Sequence, residues 1–217
     1  KDCSTETSIP KEEIGVVMDE VGFPECLTPT QIGLIMKDSF NNWDSSLYSQ
    51  YLQTFHLPEK KEFGQFSKGM KMKLGIAVAL SHHPKLLILD EATSGLDPVV
   101  RDEILDIFND FTRDESHAIL ISSHIVSDLE KICDYIAFLH KGKLVLYEEK
   151  DRLLEEYGII QCTKEQLQEL DPSAIIGVKQ TSYNTEAVIL RDQIPEGFSV
   201  QPVSIEDLFI FMIKEAH

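Results

Sequence analysis

Leu86-Leu87-Ile88-Leu89-Asp90-Glu91-Ala92-Thr93-Ser94-Gly95-Leu96-Asp97 is the most informative segment of the chain. Its run of large aliphatic residues predicts a strand buried on both faces, as in a parallel sheet covered by helices. Two carboxylates, Asp90 and Glu91, follow where that strand ends, and open α/β sheets place their ligand chemistry at that end. An acid at a strand tip can hold Mg²⁺ through water, and its neighbour can polarise an attacking water. Taken alone, the pattern also fits a strand that simply ends in solvated acids.

The flanking sequence narrows the choice. Phe66-Ser67-Lys68-Gly69-Met70 stands directly before the apolar run 72–80, and Ser122-Ser123-His124 ends the next apolar strand, 118–121. This order of a Ser-x-Gly motif, aliphatic-Asp-Glu, Ser-Gly-Leu-Asp and strand-Ser-His resembles the nucleotide-binding domain of an ABC transporter, over roughly residues 14–149. The resemblance implies an α/β fold, a P-loop NTPase-type ABC ATPase core with a mostly parallel sheet, helices on both faces and an inserted helical subdomain near residues 23–83. Residues 1–149 would form that domain, and residues 150–217 a small α+β C-terminal appendage without chemistry of its own.

The resemblance also implies roles. Residues 67–70 match the signature loop, Asp90 and Glu91 the Walker B pair, residues 94–97 the D-loop and His124 the switch histidine. Glu91 and His124 would be catalytic, Asp90 would order the Mg²⁺ shell, and Ser67, Lys68, Gly69, Asp97 and Asp19 would meet or sense ATP. Asp19 stands where the family usually has the Q-loop glutamine, and Lys68 where it usually has glycine. Each could equally be a solvated surface charge. No G-x-x-x-x-G-K-[ST] segment occurs in the 217 residues, so the chain reads as a domain lacking its P-loop segment. Such a fragment is expected neither to bind nor to hydrolyse MgATP appreciably alone, and to carry a gap in its sheet beside residues 86–89.

Composition limits the alternatives. The chain holds 37 acids against 20 Lys and Arg, a net charge of −17. Nucleic-acid binding needs a basic surface to neutralise phosphates, so no nucleic-acid partner is expected and a soluble ABC ATPase acting on nucleic acid is disfavoured. Cys3, Cys26, Cys133 and Cys162 are scattered, as reduced thiols would be, with neither disulfide nor zinc spacing. The longest apolar runs fall short of the ~18 residues that span a bilayer.

Local signals place the remaining elements. Residues 1–13 read as polar and irregular, and 14–18 as a strand. Thr28-Pro29 predicts a helix start, Ser45 or Ser46 the cap of a second helix, Ser67 the cap of a third and Asp97-Pro98 the start of a fourth. A helix N-terminus such as that after Ser67 favours an anion. His82 and His83, near a helix end, suggest dipole compensation and not metal binding. Phe23, Phe40 and Trp43 are candidates for a partner-binding groove, or for local core. Residues 135–139 and 143–147 predict a hairpin at the sheet's antiparallel edge. Thr163 with Gln166 predicts a capping box, and Ser204 the start of a last helix.

Together these expectations describe an ATP-hydrolysing subunit, cytoplasmic and peripheral at the inner face of the membrane. It would pair as a homodimer or heterodimer and act through a transmembrane subunit, with ATP and Mg²⁺ as cofactors. The alternative is a non-enzymatic assembly or regulatory module.

Overall fold

The structure, a computed structural model, describes residues 11–180, 185–195 and 197–215. Cys3 and the expected irregular stretch before residue 11 lie outside these. The chain divides into two compact units, Lys1–Ile125 and Val126–His217.

In the first unit the aliphatic run forms the centre of a three-stranded parallel sheet. The chain passes through β1 (Ile14–Val17), α1 (Pro29–Ser39), α2 (Ser45–Thr54), α3 (Lys68–Leu80), β2 (Leu86–Asp90), α4 (Pro98–Thr112) and β3 (Ala118–Ser122). The sheet order is β1-β2-β3, with Val17 beside Leu89 and Leu89 beside Ile121. Val17, Leu87 and Leu89 are buried, with α3 packed on β1 and α4 on β3. Close approach of α3 requires Gly15, where a Cβ would stand 3.0 Å from the Ala79 carbonyl oxygen. On the opposite face Val16 is 51% and Leu120 63% exposed. The expected gap beside residues 86–89 is not found. Leu86–Asp90 is paired on both sides, and the open edges among the described residues are the outer sides of β1 and β3.

The helix starts follow their capping chemistry. Thr28 and Gln31 complete a capping box on α1, and Asp97 accepts the Val99 and Val100 amides at the head of α4. The cap of α2 is Asp44, not Ser45 or Ser46. Its carboxylate accepts both the Ser46 and Leu47 amides, at 2.8 and 2.9 Å, which draws both serines into the helix.

His82 also departs from expectation. It is 2% exposed, stacked on Phe40 at 4.2 Å, with Nδ1 3.1 Å from the Glu12 carbonyl oxygen. Burial lowers its pKa below the usual histidine value. A buried neutral imidazole does not compensate a helix dipole. His83 instead turns outward with φ 53° and reaches to 3.5 Å from Asp44.

The second unit runs through α5 (Val126–Ile132), β4 (Tyr135–His140), β5 (Lys143–Glu149), α6 (Lys150–Glu156), β6 (Tyr157–Cys162) and α7 (Lys164–Gln168). It continues through β7 (Ile175–Gln180), β8 (Thr185–Leu190), β9 (Val200–Gln201) and α8 (Ile205–Glu215). The later strands make a four-stranded antiparallel sheet, β7-β8-β6-β9. The hairpin β4-β5 forms as expected but is a sheet of its own, not an edge of the parallel one. Its inward residues Ile136 and Phe138 join Leu153, Val188, Leu208 and Phe211 in one core. The division therefore falls before the hairpin, at Ile125–Val126, and not at residue 149. Thr163 and Gln166 make the expected capping box, and Ser204 accepts the Asp207 amide at the head of α8.

The buried His82 has a stability consequence. Its folded pKa lies below its unfolded value of 6.5, so the unfolded chain takes up the proton first. The stabilisation is complete above that pH and is lost as pH falls toward the folded pKa. We expect melting temperature to decline on acidification from pH 7 to 5, with a shallower decline in His82→Gln. Identical slopes for the two proteins would contradict this account.

Candidate functional site

The pairing of β2 with β3 sets Asp90 beside Ser122. The Ser122 hydroxyl donates to Asp90 Oδ1 at 2.6 Å. The Glu91 amide donates to the Ser122 carbonyl at 3.1 Å and approaches its Oγ at 3.3 Å. Glu91 takes φ 50°, a left-handed conformation costing an L-residue roughly 1–2 kcal/mol. Buried Ala92 and Thr93 follow it, and the Ser94 amide closes a turn onto the Glu91 carbonyl at 2.9 Å. That turn directs the Glu91 carboxylate to His124, with Oε2 2.6 Å from Nδ1 and 3.4 Å from the His124 amide nitrogen. The Glu91 side chain is 31% exposed and the His124 side chain 67%. An ionised carboxylate only accepts, so His124 Nδ1 donates; in the neutral ring Nε2 is then an acceptor.

A second cluster gathers around Lys68. Ser67 caps α3, its Oγ accepting the Met70 amide at 3.2 Å. Gly69 faces α4, where a Cβ would lie 3.3 Å from a Val100 methyl. The Lys68 ammonium sits 2.8 Å from Asp19 Oδ1, with the two side chains 46% and 44% exposed. It also lies 3.3 Å from where a Cβ of Gly95 would stand, and Gly95 has φ +66°. The solvated-charge reading of Lys68 and Asp19 is thereby replaced by an ion pair. Asp97 Oδ1 accepts the first amides of α4, at 3.2 and 3.1 Å.

The sequence-derived residues thus fall into two groups. Asp90, Glu91 and His124 meet at the strand ends, while Asp19, Lys68 and the turn holding Gly95 meet at the head of α3. Ser122 had no assigned role, yet it touches both strand-end acids. Its only sequence signal is its place two residues before His124, on a strand whose register is invisible in the linear chain.

Asp90 suits one kind of metal. Among the described residues no group of three or more His, Cys, Asp or Glu side chains could hold an ion. A single hard carboxylate, with one oxygen fixed by Ser122, fits Mg²⁺, which keeps its waters and shares phosphate oxygens.

A cavity of about 860 Å³ opens elsewhere in the same unit, between β1, α1 and α3, with Val17, Met18, Phe23, Phe40, Val78 and His82 among its lining residues. Phe23 packs edge-on against Phe63 at 5.6 Å. Trp43 is not in this wall; it packs on Tyr48 at 5.0 Å.

The family model described as ABC transporter matches residues 1–94. The chain is 48% identical over 93 residues to the lantibiotic transport ATP-binding protein SrtF of Streptococcus pyogenes, covering 43% of this chain and 40% of that protein. It is 38% identical over 134 residues to the bacitracin transport ATP-binding protein BcrA of Bacillus licheniformis, covering 61% of this chain and 44% of that one. The chain therefore spans less than half the length of these relatives. A solved ATP-binding subunit of an ABC transporter superposes with a TM-score of 0.59 at 26% identity, covering 66% of this chain and 61% of the other. With its matched residues and its superposition in agreement, the chain carries the fold of an ABC ATPase nucleotide-binding domain, and residues 1–94 are similar to the ABC transporter family model.

Proposed function

We propose that these residues form the magnesium-ordering and water-activating part of an ATP-hydrolysing ABC transporter subunit. One observation carries the reading. Asp90, Glu91 and His124 converge at the ends of β2 and β3, and Ser122 fixes the strand-end acids. Asp90 would hold Mg²⁺, which when bound neutralises phosphate charge. Glu91, held between the Ser122 backbone and His124, orients and deprotonates a water. His124, in its doubly protonated form, donates from its other ring nitrogen to the terminal phosphate while Nδ1–H stays on Glu91. Phosphoryl transfer needs this positioning and charge stabilisation more than covalent chemistry.

The phosphate cradle would come from a P-loop outside these 217 residues, since no such motif lies within them. The open edge of β3 and the uncovered sheet face with Val16 and Leu120 support a further element packing there. Two ATP-binding subunits, alike or different, would pair so that Ser67, Lys68 and Gly69 at the head of α3 meet nucleotide held by the partner. Asp97, at the interface, would couple the two sites.

A transmembrane subunit would complete the machine, with this chain at the cytoplasmic face of the membrane. No helix among the described residues is long and apolar enough to cross a membrane, which is consistent with attachment through such a partner. The apolar cavity beside β1 is the candidate groove for it. Phe23 and Phe40 line this cavity and are the candidates for docking; Trp43, expected beside them, does not line it.

Two tests follow, each in the full-length protein. Glu91→Gln keeps size and the contact with His124 but removes the base. We expect steady-state ATP hydrolysis to fall roughly 10²–10⁴-fold while nucleotide binding persists; near-wild-type turnover would remove Glu91 from this role. Phe23→Ala should weaken co-purification with the transmembrane subunit more than it lowers the melting temperature. Trp43→Ala should do the reverse, approaching the ~3–5 kcal/mol of an emptied aromatic site. The opposite ranking would move the groove away from Phe23.

A further inference from the structure

The ion pair between Lys68 and Asp19 joins segments 49 residues apart in the chain. Asp19 lies two residues beyond the end of β1, beside the wall of the apolar cavity, to which Met18 and Glu20 belong. Lys68 is the first residue of α3. Beside Lys68 runs the turn after β2, where Gly95 takes φ +66° and leaves space that the Lys68 side chain fills, its Nζ, Cδ and Cε 3.3, 3.8 and 3.9 Å from the position of a Cβ. The segment after β1 and the turn after β2 therefore both approach the ammonium group carried at the head of α3. The pair is about half exposed on both sides, so its strength is modest and it can open within the working range of the protein.

We propose that Lys68 is a positioning residue that exchanges partners, holding Asp19 in the resting subunit and releasing it when a nucleotide phosphate arrives at the head of α3. The proposal rests on the reading above, in which that helix start faces nucleotide bound by a second subunit. The dipole and free amides of a helix N-terminus already favour an anion there. Lys68 supplies a mobile cation at the same place, and Asp19 competes with the phosphate for it. When the ammonium turns to the phosphate, the segment following β1 loses its tether beside the cavity. Nucleotide capture and rearrangement of the cavity wall are then linked by one charge, without movement of the sheet. A side chain at Gly95 would strain the backbone at φ +66° and press on the Lys68 side chain, 3.3 Å from where its Cβ would stand.

The test uses full-length protein and a non-hydrolysable MgATP analogue, with self-association followed by sedimentation or light scattering. Asp19→Asn removes the competing charge and should tighten analogue-dependent association roughly two- to fivefold, the range of a half-exposed ion pair. Lys68→Met should weaken it by a similar factor. The double variant should match Lys68→Met, because Asp19 acts only through Lys68. Because both side chains are half exposed, melting temperatures should stay close to wild type, and Lys68→Arg should retain most of the association. Variants indistinguishable from a wild type that does associate would overturn the exchange alone. An Asp19→Asn effect that persists in the Lys68→Met background would also overturn it, since the acid would then act directly on the nucleotide. A wild-type protein that binds the analogue without associating would overturn this proposal together with the paired-subunit reading.

Discussion

The register of β2 against β3 is the constraint on which the candidate site depends. Parallel pairing places Asp90 opposite Ser122, and the remaining geometry follows from that one alignment. The Ser122 hydroxyl and carbonyl then meet the Asp90 carboxylate and the Glu91 amide, and His124 arrives two residues later within reach of Glu91. A slip of one residue would turn each of these side chains to the other face of the sheet. The register is held from below by Leu87 and Leu89, both buried. Alignment of Asp90, Glu91 and His124 at the exposed strand ends is thus set by hydrophobic packing in the strand interiors.

The same economy governs the turn that follows. Glu91 adopts a left-handed backbone that is unfavourable in isolation, yet hydrogen bonds on both sides hold it and buried Ala92 and Thr93 anchor it. Strain of this kind persists only where the surroundings over-determine it, and it concentrates at functional sites. The turn then passes Gly95 beneath Lys68 and reaches Asp97, whose carboxylate starts α4. One short segment therefore orients the Glu91 carboxylate, leaves space for a lysine and begins a helix that packs on β3.

Much of this was legible in the sequence because it is local. Continuous aliphatic residues announce a strand, and Thr-Pro, Asp-Pro and Ser-x-x-x patterns announce helix starts, so the strands and most caps stand where expected. Burial of residues 86–89 on both faces does not hold, since only Leu87 and Leu89 are buried. Asp44 is less conspicuous in the sequence than the adjacent serines, yet its carboxylate accepts two amides and so satisfies the helix start better. What was illegible depends on contacts between distant segments. Burial of His82 comes from Phe40 and Glu12, far from it in sequence. The hairpin's allegiance is decided by Leu153 and α8, which neither β4 nor β5 reveals. Ser122 acquires a role only through strand register. The Lys68–Asp19 pair needs the whole helical segment to fold before its two charges meet.

The account places the terminal phosphate of ATP at the ends of β2 and β3. The most direct measurement is a crystal structure of the wild-type full-length protein with Mg²⁺ and a non-hydrolysable ATP analogue. The account predicts a metal held by Asp90 through water, and a terminal phosphate oxygen within ~2.6–3.2 Å of His124. An analogue bound with its metal and terminal phosphate remote from both Asp90 and His124 would contradict it.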